Sequence, residues 1–138
     1  MNDNLATIAA LYAAFGRGDI PAILDYLTTD VRWEEWADNS AQQAGVPWLQ
    51  ARQGKDGALD FFKVMGGLKV LDFRVLALMA GGNQVAAEFE IEFEAPNGGR
   101  RLRDQEIHLW TFNEGGQVVR LRHYADTAKH IAMAQAAD

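Results

Sequence analysis

The chain has 138 residues, of which 49% are hydrophobic and 23% charged, and its net charge is −6. This length fits one domain, and the composition is typical of a soluble globular protein. The acidic charge argues against binding to nucleic acid or to an anionic membrane, because both require a basic surface. The lack of cysteine excludes disulfides, thiolate catalysis and cysteine-based zinc sites. With no signal-peptide pattern and no long apolar run, we expect a cytoplasmic protein.

Two helices and a strand are predicted at the start of the chain. Apolar residues recur at helical spacing over residues 4–16. Asp19 can cap a second helix, and Pro21 falls in its first turn, where a missing N–H does no harm. After a break at 28–30, residues 31–36 are predicted to form a strand.

A loop and a third helix follow this strand. Residues 37–53 show no clear period, and such a loop often covers a functional site. The third helix is predicted over about 55–65, and Gly66 and Gly67 end it.

The second half of the chain is predicted to consist mainly of strands. They are expected at residues 68–79, 85–94, 101–112 and 118–126. Alternating apolar and acidic residues make the second of these a half-buried antiparallel strand. A last short helix is predicted over 128–135. Helices followed by a four-strand meander indicate an α+β domain whose curved sheet encloses a pocket.

Charge pairing predicts the register of the central hairpin. If residues 97–98 form its turn, Glu94 pairs with Arg101. In the same register Glu92 pairs with Arg103, and opposite charges across two strands favour this arrangement. These charges then lie on the outer face of the sheet.

The inner face acquires ionisable groups in this register. They are Asp104, Glu106 and His108. If Phe112 opposes Val119 in the last hairpin, His108 opposes His123. Two histidines would then face the same interior, although a shift of one residue would turn His123 outward.

Adjacent carboxylates between tryptophans mark the first strand. Strand alternation places Glu35 on the inner face with Trp33, and Glu34 on the other face with Arg32. A carboxylate among large apolar side chains is costly unless it is paired, protonated or used in chemistry. Glu35 is therefore a predicted general acid or base, or else a strand-end carboxylate that pairs with an arginine.

Three segments and the element order carry a family resemblance. The segments are AAFGRGDIPAILDYLTTDVRWE, QGKDGALDFF and HLWTFNEGGQVVRLRHYAD. The chain resembles the NTF2-like superfamily, in particular its SnoaL-like and ketosteroid-isomerase-like branch. The resemblance implies one domain over residues 1–138. It would be an α+β cone with helices packed in the concave face of a strongly curved, mainly antiparallel sheet.

The resemblance also implies roles for single residues. The carboxylate that moves protons in ketosteroid isomerases falls at Glu35, and the tyrosine that donates to the oxyanion falls at Tyr12. An acid that shares the second task falls at His108, and a last-strand acid of cyclase and epoxide-hydrolase relatives falls near His123. Both acids are histidines here, and dehydratases of this fold use paired pocket histidines.

The functional hypothesis is a cofactor-independent enzyme for an apolar cyclic carbonyl or hydroxyl compound. Isomerisation, aldol cyclisation and dehydration all fit, with Glu35, His108 or His123 as the base and Tyr12 at the oxyanion. Residues expected to bind the substrate are Trp33, Trp48, Phe62, Phe89, Asp104, Trp110 and Leu121. No HxxxH or HExxH spacing supports a metal site, so none is predicted.

The alternative is a non-catalytic module that binds a small molecule or a protein. It predicts that Glu35 faces solvent or is held in an ion pair, with the two histidines apart. His130 is expected to be exposed, and Asp126 to be structural. Since relatives often dimerise through the outer sheet face, a homodimer is also expected.

Overall fold

The computed structural model describes residues 3–36, 38–95 and 100–135. Its helices are α1 (Asn4–Gly16), α2 (Ile20–Asp25), α3 (Ser40–Gln43), α4 (Gly54–Met65) and α5 (Thr127–Gln135), with a 3-10 turn at Pro47–Leu49. Its strands are β1 (Leu27–Trp33), β2 (Arg52–Gln53), β3 (Lys69–Gly81), β4 (Gln84–Glu94), β5 (Arg101–Phe112) and β6 (Val118–Tyr124). The described strands form one sheet in the order β2-β1-β6-β5-β4-β3. The predicted α+β class is confirmed.

The caps of the first two helices explain where they begin. Asp3 accepts a hydrogen bond from the backbone N–H of Ala6 at the start of α1. Asp19 does the same for Ala22 in α2, with Pro21 in the first turn. Each cap satisfies a backbone donor that has no partner within its helix.

The first strand differs from the prediction. It begins at Leu27 and ends at Trp33, so the predicted break at 28–30 is part of the strand. It runs parallel to β6, with Trp33 opposite Leu121. The segment after it is not one loop, because it contains α3, the 3-10 turn and β2.

The predicted register of the central hairpin is confirmed. Glu94 lies opposite Arg101, and Glu92 lies opposite Arg103. The turn predicted at 97–98 lies outside the described residues. On the outer face Glu90 accepts hydrogen bonds from several neighbouring side chains, Arg103 among them. The prediction that this face forms a homodimer stays a prediction.

The last hairpin brings the two histidines together as predicted. His108 lies opposite His123. One detail is wrong: Phe112 pairs with Val118 rather than Val119, because the register shifts between Thr111 and Phe112. This irregularity lies beyond the histidine pair and leaves its alignment unchanged.

Two clusters of buried side chains form the core. One packs α1, α2 and α4 against β1, β5 and β6 around Trp33 and Trp110. The other packs α3, the 3-10 turn and α5 against β4 and β5 around Phe89 and Phe93. None of the described helices is long and apolar enough to cross a membrane. The candidate site lies where the two clusters meet.

Candidate active site

A cavity opens between the helices and the concave face of the sheet. The empty space between its walls, including the part open to solvent, is about 610 Å³. The predicted site residues that line it are Tyr12, Trp33, Trp48, Phe62, Phe89, His108, Trp110, Leu121 and His123. Further aromatic walls come from Phe15, Phe61, Phe73 and Phe93. A concave site with mostly apolar walls and a few polar groups is typical of small-molecule binding.

Glu35 is not part of this cavity, so its predicted inward orientation is wrong. Its side chain is 44% exposed and pairs with Arg32 at 3.1 Å. The inward carboxylate is Glu34, which is 3% exposed. The strand ends at Trp33, and Glu34 has a φ of 58°, in the left-handed region. Alternation applies only to extended backbone, so this one residue reverses which glutamate points inward.

Hydrogen bonds on both sides hold the backbone of Glu34 in place. Its N–H donates to the carbonyl of Leu121 at 2.8 Å. Its carbonyl accepts from the side chain of Gln42 at 2.6 Å. These bonds tie the residue to β6 and to α3, and they support a conformation that a glutamate rarely adopts.

His123 lies between two buried carboxylates. Its Nδ1 is 2.7 Å from Glu34, and its Nε2 is 2.5 Å from Glu106. Ionised carboxylates only accept hydrogen bonds, so both ring nitrogens carry hydrogen and the ring is an imidazolium. Burial lowers the pKa of His123, but the charges of Glu34 and Glu106 outweigh it and raise the pKa well above its ordinary value.

His108 faces the same cavity in the opposite protonation state. Burial lowers its pKa well below the ordinary value, and the positive charge of His123 acts in the same direction. The ring centroids of the two histidines are 4.6 Å apart. A neutral and a cationic imidazole are therefore neighbours on one wall.

Tyr12 holds one nitrogen of His108. The tyrosine oxygen is 2.7 Å from Nδ1 and accepts a hydrogen bond from Nε1 of Trp110 at 3.0 Å. Burial raises the pKa of Tyr12 far above its ordinary value, so the hydroxyl keeps its proton. Nε2 of His108 has no hydrogen-bond partner within the described part of the chain. It is the nitrogen left for a ligand.

His130 is buried, and the prediction that it is exposed is wrong. It is 1% exposed, and its Nε2 is 2.6 Å from Glu106. Its Nδ1 accepts a hydrogen bond from Nε1 of Trp48 at 2.9 Å. Glu106 thus receives hydrogen bonds from His123 and His130. Burial raises the pKa of Glu106, but the charge of His123 and these bonds outweigh it and hold the pKa well below its usual range.

Asp104 lies behind the cavity and does not line it, which corrects the prediction that it binds substrate. It accepts hydrogen bonds from the backbone N–H groups of Gln105 and Asp126 at 3.0 Å each. Nε2 of His130 is 3.2 Å away. Burial and a hydrogen bond shared with Glu106 raise the pKa of Asp104. Its role is to join β5 to the start of α5.

Asp104, Glu106 and His130 could be taken for metal ligands, since their ligand atoms lie within 4.8 Å of one another. The donor set does not fit a metal ion. The indole N–H of Trp48 can only donate, so Nδ1 of His130 carries no hydrogen and Nε2 does. A metal at Nε2 would require that hydrogen to move to Nδ1, where it would meet the indole N–H.

The SnoaL-like domain model matches residues 8–121. The chain belongs to the SnoaL-like domain family. An NTF2-like protein of unknown function from Burkholderia pseudomallei has a TM-score of 0.80 and 25% identity, and the match covers 99% of this chain and 100% of that one. TerC, co-crystallised with polyporic acid, has a TM-score of 0.75 and 23% identity, and the match covers 96% of this chain and 98% of TerC. A protein from Mesorhizobium loti, named as a SnoaL-like polyketide cyclase, has a TM-score of 0.67 and 20% identity. The match covers 87% of this chain and 97% of that protein. No functionally curated protein matches this sequence.

Sequence reasoning missed three polar residues of this SnoaL-like chain. They are Glu34, Glu106 and His130. Glu106 was predicted on the inner face but not as a site residue. For His130 the sequence held a usable signal, because Met133 lies three positions further along the last helix and this spacing is typical of one helix face. In the structure both residues are buried. Glu34 carried none, since nothing in the sequence marks its left-handed backbone.

Proposed function

We propose that the protein is a cofactor-independent acid–base enzyme that removes a proton next to a carbonyl group. The observation that carries this proposal is the histidine pair. A neutral His108 and a cationic His123, with ring centroids 4.6 Å apart, line one aromatic cavity. Acid–base catalysis near neutral pH needs such a base and such an acid within reach of one substrate.

His108 is the base in this proposal. Its Nδ1 carries the hydrogen and donates it to the oxygen of Tyr12, which also accepts from Trp110. Nε2 then holds a free lone pair for the substrate proton. In the same arrangement the O–H of Tyr12 is left to donate to the substrate carbonyl oxygen, where negative charge develops.

Dehydration is the reaction that would use His108 as base, Tyr12 at the oxyanion and His123 as acid. Loss of water from a β-hydroxy carbonyl compound breaks a C–H bond and a C–O bond and forms a C=C bond. His108 takes the proton, and the departing hydroxyl receives a proton from His123, which must first break the hydrogen bond from one of its N–H groups to Glu34 or Glu106. Isomerisation and aldol cyclisation share the first step but do not need this acid for a leaving hydroxyl.

The walls and the buried charge favour a neutral, ring-shaped substrate. The cavity is bounded mostly by aromatic side chains. Glu106 and His123 line it, Glu34 lies behind His123, and the three together carry one negative charge. An anionic ligand would add to that charge in an apolar setting, which is unfavourable.

The test is a panel of cyclic ketones and β-hydroxy ketones in deuterated buffer. We expect deuterium exchange at the carbon next to the carbonyl, and a conjugated product from the hydroxy ketones. His108→Asn should reduce exchange at least about 100-fold, as loss of a general base does. Glu35→Gln is the matched control and should keep full activity. Full activity of His108→Asn and His123→Asn on a compound that the enzyme converts would refute the proposal.

The competing function, a non-catalytic binding module, predicts Glu35 in an ion pair and the two histidines apart. Glu35 is indeed paired with Arg32. The histidines, however, are neighbours, and Glu34 occupies the interior in place of Glu35. The closeness of the two histidines favours the enzyme over the binding module.

A further inference from the structure

His130 lies on α5 and borders the same cavity as the two histidines of the proposed reaction, and two hydrogen bonds through Glu106 connect it to His123. Its Nε2 is 2.6 Å from Oε2 of Glu106, whose Oε1 is 2.5 Å from Nε2 of His123. His123 continues to Glu34 at 2.7 Å. A continuous chain of hydrogen bonds therefore runs from α5 to the end of β1. All of its members except His123 are almost completely buried.

We propose that His130 is a positioning residue that keeps Glu106 ionised and aimed at His123. This inference rests on the proposed function, because His123 must be cationic to act as the acid. His130 does not touch the substrate in this scheme. It acts through Glu106, by occupying the oxygen that His123 does not use.

Trp48 fixes which nitrogen of His130 carries the hydrogen. The indole Nε1 only donates, and it lies 2.9 Å from Nδ1. Nδ1 must therefore accept, and the single hydrogen of the neutral ring is on Nε2, where it points at Glu106. Without Trp48 the two neutral tautomers would compete, and one of them would direct a lone pair at the carboxylate.

The surroundings of His130 explain how a neutral ring can act on a charged group. Asp104 and Glu106 face it from β5, and Lys129 on its own helix is 3.8 Å from Asp104. A carboxylate that accepts a hydrogen bond in a buried site holds its charge more readily. Ionised Glu106 then favours protonation of His123.

His123 has three titratable neighbours that bear on the prediction, two carboxylates and a neutral imidazole. Glu34 approaches from the end of β1, and Glu106 and His108 approach from β5. Glu34 remains when His130 is replaced, so His123 should lose only part of its raised pKa. We expect a decrease of at least about one unit.

The experiment is a histidine NMR titration of the full-length protein without ligand. Nitrogen-15 shifts in the unmodified protein should show Nδ1 of His130 without hydrogen and Nε2 with it. His130→Phe removes the donor to Glu106, and the pKa of His123 should decrease. His130→Gln should restore it, because its amide N–H can donate to Glu106 and its oxygen can accept from Trp48.

Met133→Ala is the control for a merely structural effect. Met133 is buried on the same helix, at 6% exposure. Its truncation should destabilise α5 and leave the titration of His123 unchanged. Trp48→Phe provides a second variant if His130→Phe does not fold, and it should shift His130 toward a mixture of tautomers.

Separate outcomes refute the two proposals. In the unmodified protein, a hydrogen on Nδ1 of His130 refutes the positioning role whatever the reaction is. An unchanged His123 titration in His130→Phe, or in Trp48→Phe if His130→Phe does not fold, refutes it as well. An equal shift in Met133→Ala also refutes it. If the titrations behave as expected but no ketone in the panel exchanges or reacts, the proposed function fails and the positioning role stands.

Discussion

Glu34 and Glu35 offer a matched pair of substitutions. The two residues are adjacent, and replacing each by glutamine makes the same chemical change. The side chain of Glu34 is 2% exposed and bonded to His123, whereas that of Glu35 is 44% exposed and paired with Arg32. The two variants should therefore differ strongly in the free energy of unfolding.

The expected size follows from the charge on His123. Two unit charges about 4 Å apart interact by about 4 kcal/mol at an effective dielectric constant near 20. Glu34→Gln loses this attraction but keeps an oxygen that can accept from Nδ1, and it removes the cost of burying a carboxylate. We expect a net loss of about 2 kcal/mol. Glu35→Gln should change stability by less than about 0.5 kcal/mol, because exposed ion pairs contribute little.

Urea unfolding at neutral pH measures both free energies. Glu34→Gln should lower the midpoint without changing the slope of the transition. The pKa of His123, followed by NMR, should fall in this variant and stay constant in Glu35→Gln. Equal losses in the two variants, or no loss in Glu34→Gln, would show that Glu34 does not hold a charged His123.

Three further predictions concern pH, a buried hydroxyl and a glycine. Stability should peak near pH 6.5, the unperturbed histidine pKa. The contribution of His123, whose folded pKa is raised, is lost as the pH rises above that value, and His108, whose folded pKa is lowered, costs stability as the pH falls below it. Urea unfolding from about pH 5 to about pH 9 should show both limbs, and a monotonic profile would contradict the opposite shifts. Tyr12→Phe should cost about 1–3 kcal/mol in thermal unfolding, because it leaves the buried N–H of Trp110 without its acceptor. The double variant with Trp110→Phe should lose less than the sum of the two single losses, and strict additivity would count against the bond. Gly54→Ala should cost more than about 1 kcal/mol, since φ is 77° and a Cβ would lie 3.2 Å from a backbone carbonyl of β1; an unchanged melting temperature would contradict this.

The sheet was predictable because charges and apolar residues agree on one register. Glu94 and Arg101 attract across the hairpin, while the apolar residues of β4 alternate on the other face. A shift of one residue would have buried the glutamates and exposed the phenylalanines. The same register fixed which side chains of β5 point inward, and this made the pairing of His108 with His123 predictable.

Strand parity failed where the backbone stops being extended. β1 ends at Trp33, and the next residue adopts a left-handed conformation that places its side chain on the inner side. Alternation counted from Trp33 therefore predicts that Glu35 points inward, whereas in the structure Glu34 does. A hydrogen bond from Glu34 to the carbonyl of Leu121 and one from Gln42 to Glu34 hold this conformation, and no local sequence pattern indicates them.

The burial of His130 depends on partners that lie far apart in the chain. Trp48 comes from the segment predicted to be a loop, and Glu106 comes from β5. The spacing of His130 and Met133 in α5 suggests a buried face, but it does not identify the residues that this face meets. Tertiary contacts decide whether a polar residue at such a position is buried with partners or remains in solvent.

The left-handed Glu34 bears on how acids are compared across related sequences. In an alignment, columns are matched by chain position, and an acid one column away is scored as a different residue. Here a single backbone torsion moves the buried carboxylate by one position without any insertion. A relative with an extended backbone at this point would present its acid from the neighbouring column. Conversely, a glycine at position 34 would accept the same torsion at no steric cost. One substitution there would keep the backbone conformation and remove the buried carboxylate that His123 contacts.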